Sequence, residues 1–228
     1  MEPLYISPKN DCRKIVDVML AIDFDEDFCI ADDFSPEFVA RLMEAGFLVM
    51  SMNIYEEFPE KAEPFYILMP KLHNIRSALF FENLHIKKSI RRLLDRYELR
   101  PDFEFCRIID RCVEKHGDGW LTLPLVDCIK KLRQIKAPVS PFSFGLYREG
   151  NLVAGEFGIV CGKVYTSYSG FYDESNAGTV QIILATQYLQ KQGFSFFDLG
   201  MPLDYKTDLG AVNITAKEFV RLFRGGQT

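Results

Sequence analysis

The chain has 228 residues, 48% of them hydrophobic, with 20 Phe and 10 Tyr; that is enough apolar mass for a sizeable core and too much for global disorder. A net charge of −5 excludes general coating of nucleic acid but leaves room for a local basic patch. The six cysteines (Cys12, Cys29, Cys106, Cys112, Cys128, Cys161) form no CxxC pair, and with three histidines no zinc spacing arises, so reduced thiols, no metal and no cofactor are expected.

The opening "MEPLYISPKNDCRKIVDVMLAIDFDED" lacks the basic start and apolar stretch of a signal peptide, and no run of 18 apolar residues occurs. A soluble, cytoplasmic, monomeric protein without membrane partners is the expectation. "DFCIADDFSPEFVARLMEAGF" then reads as a short strand and a helix, with Ser35 as N-cap, Pro36 in the first helical position and Gly46 as the stop. "FLVMSMNI" reads as a second strand. Pro59, Pro64 and Pro70 break regular structure and predict a connector over 55–70.

Ile86, Ile90, Leu93 and Leu94 are spaced for one helix over 85–100, whose polar positions carry Lys87, Lys88, Arg91, Arg92, Arg96 and Arg100. "FEFCRIIDRCVEKHG" and "LPLVDCIKKLRQIK" are two further amphipathic helices. From residue 140 the period changes to two, predicting antiparallel strands at 142–148, 152–161 and 163–169 with turns at "REGN" and "CGK". A loop over 167–178, "SYSGFYDESNAG", leads into the helix "NAGTVQIILATQYLQKQG". Strand "FSFFDLG", ending on Asp198, and a helix begun by Thr215 close the chain. This order is an α+β pattern of the acetyltransferase (GNAT) type, an analogy of fold that says nothing by itself of chemistry.

Several strings in one order carry a resemblance: "ADDFSP" at 31–36, "LHIKKS" at 84–89, "DGWLT" at 118–122, "LVAGEFGI" at 152–159 and "DLGA" at 208–211. Together, over about residues 26–222, the chain resembles the leucyl/phenylalanyl-tRNA–protein transferases, which move an amino acid from charged tRNA to a protein N-terminus. The resemblance implies a small N-terminal α/β domain, placed at 1–70, followed by an acetyltransferase-like domain over 71–228. It also implies aminoacyl-tRNA and the N-termini of acceptor proteins as partners.

Asp198 falls on the family's aspartate that assists attack by the acceptor amine. Its other reading is a turn cap, or a partner for a nearby lysine. Where the family has a glutamine two residues on, this chain has Gly200. Tyr168, Ser169, Gly170 and Phe171 match a family loop in which Tyr168 replaces a glutamate. Glu156 and Gly170 take the place of two methionines in an apolar amino-acid pocket. A buried carboxylate there is costly unless paired, so Glu156 either meets a cationic donor side chain or faces solvent. Trp120 matches a tryptophan that stacks on the terminal adenosine of tRNA, and Met50 replaces a second one; a core position is the other reading of Trp120. Lys87, Lys88, Arg91, Arg92 and Arg96 would meet the acceptor stem, or simply form a solvated face. Arg76 could touch phosphate or hold the domain interface.

Three functions follow. The first is an aminoacyl-tRNA–protein transferase for Leu or Phe, or for a cationic amino acid. The second is a non-catalytic module of the same fold that binds tRNA or N-terminal peptides. The third, an acyl-coenzyme A acetyltransferase, lacks its glycine-rich pyrophosphate turn in "ESNAGTVQ".

Overall fold

The computed structural model describes residues 3–22, 27–54 and 64–227. The chain folds as two compact units: one runs up to Asn74 and adds His116–Ser140, the other takes Ile75–Lys115 and everything from Pro141 on. The first unit therefore ends at 74 rather than 70 and reclaims a segment that the sequence reading placed in the second domain.

The first unit begins with β1 (Leu4–Tyr5), α1 (Cys12–Ala21), β2 (Cys29–Ile30), α2 (Pro36–Ala45), β3 (Leu48–Asn53) and β4 (Tyr66–Lys71). Pro36 opens helix α2 and Gly46, at φ 107°, closes it in the left-handed conformation, as the sequence implies; Ser35 holds the N-cap position, but its side chain makes no capping hydrogen bond. The reclaimed segment carries α5 (Leu123–Leu132), whose buried Leu125, Cys128, Ile129 and Leu132 need an apolar partner. They find it on α2, which is why 116–140 joins this unit.

The connector expected over 55–70 is only partly observable, because 55–63 lies outside the described residues. Its last part is strand β4, antiparallel to β3 with Pro70 opposite Val49. Leu68 spends its N–H and carbonyl on Ala31. Two residues on, Pro70 also turns its nitrogen away from β3, so the missing donor breaks no bond to that strand.

The second unit is built on one seven-stranded mixed sheet, in the order β11-β5-β10-β9-β8-β7-β6. Its strands are β5 (Ile75–Leu79), β6 (Glu98–Pro101), β7 (Val139–Arg148), β8 (Asn151–Cys161), β9 (Val164–Tyr172), β10 (Phe196–Asp198) and β11 (Val212–Thr215). The helices are α3 (Lys88–Arg91), α4 (Phe105–His116), α6 (Ala177–Lys191), α7 (Asp204–Asp208) and α8 (Ala216–Gly225). Phe144, Leu146, Ala154, Tyr165 and Phe197 turn one sheet face onto Val180, Ile183 and Leu189 of α6. Residues of the alternate phase turn the other way: Phe157 meets Phe105 of α4 edge to face, and Arg76 lies over Phe219 of α8.

Three sequence expectations change here. The segment 85–100 is not one helix but a four-residue helix, a 3₁₀ turn over Leu94–Arg96 and strand β6. Its apolar residues do pack on the core, but Leu99 does so from a strand paired with Leu146. Pro101 also disfavours a helical Arg100. The loop expected over 167–178 shrinks because β9 runs on to Tyr172, held by β8. Strand β5, read past in the sequence, sits between β10 and β11.

Where β8 and β9 pair, the register shifts between Phe157 and Gly158, so Tyr168 is an extra residue in a β-bulge. Gly158 permits it: a Cβ there would lie 2.2 Å from the Thr166 carbonyl oxygen. Gly158→Ala is expected to lower unfolding stability by about 2–3 kcal/mol. Gly119→Ala, with nothing within 4 Å of its Cβ, should stay within ~0.5 kcal/mol of the parent in urea titrations.

Candidate active site

Strands β9 and β10 run parallel, yet they pair only over Val164–Thr166 and Phe196–Asp198. Beyond that, β9 continues for six residues while the chain leaves β10 through Leu199 and Gly200. Parallel neighbours that part in this way open a gap in the sheet at their carboxyl ends, the usual place for a site in open sheets. The buried polar side chains of this unit concentrate around the parting.

Asp198 ends β10 and is fully buried. Its oxygens receive Arg76 twice, at 3.2 Å from Nε and through a shorter contact from Nη2. Thr166 donates to it at 2.9 Å and the Gly200 N–H at 3.0 Å. Instead of facing an open cleft, this carboxylate is saturated by four donors. Arg76, 1% exposed, is too buried to meet a surface phosphate and is the counter-ion of Asp198 within one sheet.

Glu156 sits on β8 opposite Gly170 of β9, 4% exposed. It does not face solvent. Burial pushes its pKa from the usual 4.5 up to about 7, against the smaller opposing pulls of Ser167, Tyr165, Gln181 and Lys206. Its one geometric hydrogen bond is a long one, 3.3 Å from Ser167 Oγ to Oε2. Tyr165 and Gln181 lie near enough to favour its charged form. Even so, Glu156 Oε1, the Tyr165 hydroxyl and Gln181 Nε2 are all buried with no hydrogen-bond partner among the described residues.

Lys206, on α7, was not anticipated. It is 6% exposed and donates to the carbonyls of Leu199 at 2.5 Å and Met201 at 2.8 Å, clamping the turn around Gly200. Burial lowers its pKa to about 8, although Asp198 and Glu156 pull the other way. Nothing in "PLDYKTDLG" marks this lysine as buried. Gln181 was more visible, because α6's apolar spacing puts that polar residue at a core position.

The loop residues matched to the family do not share one face. Ser169 and Phe171 point toward α4: the Ser169 carbonyl accepts from Cys112 Sγ at 3.4 Å, and Arg111 stacks 4.6 Å over Phe171. Tyr168, in the bulge, lies 6.0 Å from the Phe157 ring. Gly170 shares the opposite face with Glu156.

Lys87, Lys88, Arg91, Arg92 and Arg96 are all exposed. Lys87 pairs with Asp208 at 2.5 Å, while the other four have no ion pair among the described residues. Trp120 belongs to the first unit, is half-buried, and its carbonyl accepts from Ser51 N at 2.9 Å. That contact puts Trp120 beside the chain segment carrying Met50, the residue that replaces the family's second tryptophan.

The family described as leucyl/phenylalanyl-tRNA protein transferase matches residues 78–224. A leucyl/phenylalanyl-tRNA–protein transferase of Campylobacter jejuni is 25% identical over 190 residues, 83% of this chain and 85% of its own length. Those of Maridesulfovibrio salexigens and Hahella chejuensis are 27% and 28% identical, covering 84% and 85% of this chain and 77% and 79% of theirs. A solved structure, L-PGS from Bacillus licheniformis, overlays more loosely, with TM-score 0.41 and 14% identity over 82% of this chain and 58% of that one.

Removing the Asp198 carboxylate would strand a buried guanidinium. Asp198→Ala should therefore lower stability by about 3–5 kcal/mol in denaturant titrations, and its loss of activity would have to be read against that. Glu156 acts in the opposite sense. Its folded pKa lies above the unfolded one, so the folded protein holds the proton longer and stability falls as pH rises from about 4.5 through 7. Relative to Glu156→Gln, the wild type should lose roughly 3 kcal/mol over that window, checked by melting both proteins between pH 5 and 8. Parallel curves would show that Glu156 titrates normally.

Proposed function

The chain belongs to the leucyl/phenylalanyl-tRNA protein transferases, and on that premise we propose that it moves an amino acid from a charged tRNA onto the N-terminal amine of an acceptor protein. The observation that carries this reading is the parting of β9 from β10. Glu156 and Gly170, which take the places of two pocket methionines, pair across β8 and β9 next to it, and Gly200, where the family has its glutamine, lies in the turn after β10. The assignment of that sheet to an acetyltransferase-like domain, preceded by a small N-terminal domain, is part of the same proposal.

The reaction joins an α-amino group to an ester carbonyl and releases the ribose hydroxyl. A free α-amine has a pKa of about 7.7–8.0, so it must shed a proton before it attacks. With all its lone pairs committed, Asp198 is a positioning residue: through Arg76 and the Gly200 N–H it fixes the turn at the end of β10. Lys206 clamps the same turn from the other side. In this reading the turn lines the place where ester and amine meet.

Lys88, Arg91, Arg92 and Arg96 form an exposed, uncompensated cationic strip suited to the phosphates of an acceptor stem. Trp120 offers an indole face for the terminal adenosine, a contact worth about 1–3 kcal/mol. No helix among the described residues is long and apolar enough to cross a membrane. A monomer acting in the cytoplasm is part of the same proposal.

Incubation with radiolabelled aminoacyl-tRNA and a model peptide should move the label to the peptide's free α-amine and leave an N-acetylated peptide unlabelled. Tight tRNA binding without transfer would favour a non-catalytic module instead. Reversing Arg91 and Arg92 to Glu should weaken tRNA binding and reduce the slope of log K against log salt by about 2.

A further inference from the structure

We infer that the donor side chain is read by a buried acidic floor made of Glu156, Tyr165 and Gln181, and that this floor takes a cationic end such as a guanidinium or ammonium. The inference rests on the transferase reading above and names the class of amino acid that the site accepts.

Three polar atoms carry it. Glu156 Oε1, the Tyr165 hydroxyl and Gln181 Nε2 converge from β8, β9 and α6; Tyr165 and Gln181 lie near enough to Glu156 to pull on its titration, yet none of the three atoms completes a well-formed hydrogen bond among the described residues. Leaving a buried carboxylate oxygen and two neighbours unsatisfied costs several kcal/mol, so the cluster is unfavourable unless something completes it. Lys206 acts on Glu156 only at a distance: two of its three donors go to the carbonyls of Leu199 and Met201, and it makes no hydrogen bond to the carboxylate. A leucyl or phenylalanyl side chain would cover the carboxylate while offering it no donor. A guanidinium offers up to five N–H groups and an ammonium three.

At its paired position on β9 no side chain covers Glu156. Gly170 stands directly opposite Glu156 on the same sheet face and carries no side chain; a Cβ there would crowd Glu156 Cβ at 3.1 Å and the Gly155 carbonyl oxygen at 3.0 Å. Tyr205, half-exposed, lies within electrostatic reach of both Glu156 and Tyr172.

The test uses the 228-residue protein with two readouts. In transfer assays with Arg-, Lys-, Leu- and Phe-charged tRNA, the wild type should favour a cationic donor by about a hundredfold in kcat/KM. Glu156→Gln should shrink that preference and Glu156→Met should reverse it toward Leu and Phe. Separately, non-hydrolysable 3′-arginyl- and 3′-lysyl-amide analogues of adenosine should raise the melting temperature of the wild type more than the leucyl analogue does, and should lose that advantage on Glu156→Gln. Preference for Leu or Phe that both variants retain overturns the acidic floor and leaves the transferase reading standing. Cationic analogues that stabilise, with no transfer from any tRNA, support the floor and sink the transferase reading. Analogues that stabilise no better than the leucyl one overturn the floor whatever the turnover.

Discussion

A guanidinium and a carboxylate, both sealed from water, hold the second unit's sheet in register. Arg76 on β5 and Asp198 on β10 are together almost wholly inaccessible. Desolvating two charges costs several kcal/mol for each, and the cost is recovered only when the geometry is complete. Here it is nearly so, with two bonds between the pair, one from Thr166 on β9 and one from the Gly200 N–H. Arg76 Nη1 finds no acceptor among the described residues, and the Phe219 ring, 4.2 Å beneath the guanidinium, supports that side instead. Three adjacent strands thereby meet at one carboxylate.

From that anchor the rest of the site follows. Because β10 stops at the ion pair, β9 runs on alone along that edge and the sheet opens beside it. The turn that leaves β10 is held twice, by Asp198 through the Gly200 N–H and by Lys206 through the flanking carbonyls. A position defined from two directions can present a backbone N–H or carbonyl to a substrate with little reorganisation, which is the usual requirement for stabilising a developing charge.

Ionisable groups with displaced pKa values also collect here. Glu156 is raised toward 7 and Lys206 lowered toward 8 by the same cause, burial. Such groups are unfavourable in a structural core and concentrate where a protein binds or transforms something. Their surroundings on one face are apolar, supplied by α6 and its partners. The polar cluster is thus a local exception within a conventional core.

Much of the architecture was legible in the chain itself. Proline and glycine at the ends of α2, the two-residue periodicity after 140 and the long apolar spacing of α6 are local signals, set by backbone sterics and by which side of an element meets water. The aspartate ending "FSFFDLG", the lone Trp120 and the basic run at 87–96 were visible as residues, and the order of short strings around them already pointed to the family. What tertiary structure alone decided was where those residues spend their interactions. Helical spacing at 85–100 gave way to a strand because β7 offered Leu99 a pairing partner. Pro70 was compatible with a strand because its nitrogen turned away from β3. Asp198 became an ion-pair anchor because β5, distant in sequence, lies next to β10. Burial of Glu156, Tyr165, Gln181 and Lys206 in one place depends on contacts among β8, β9, α6 and α7, and no local pattern encodes which strands will be neighbours.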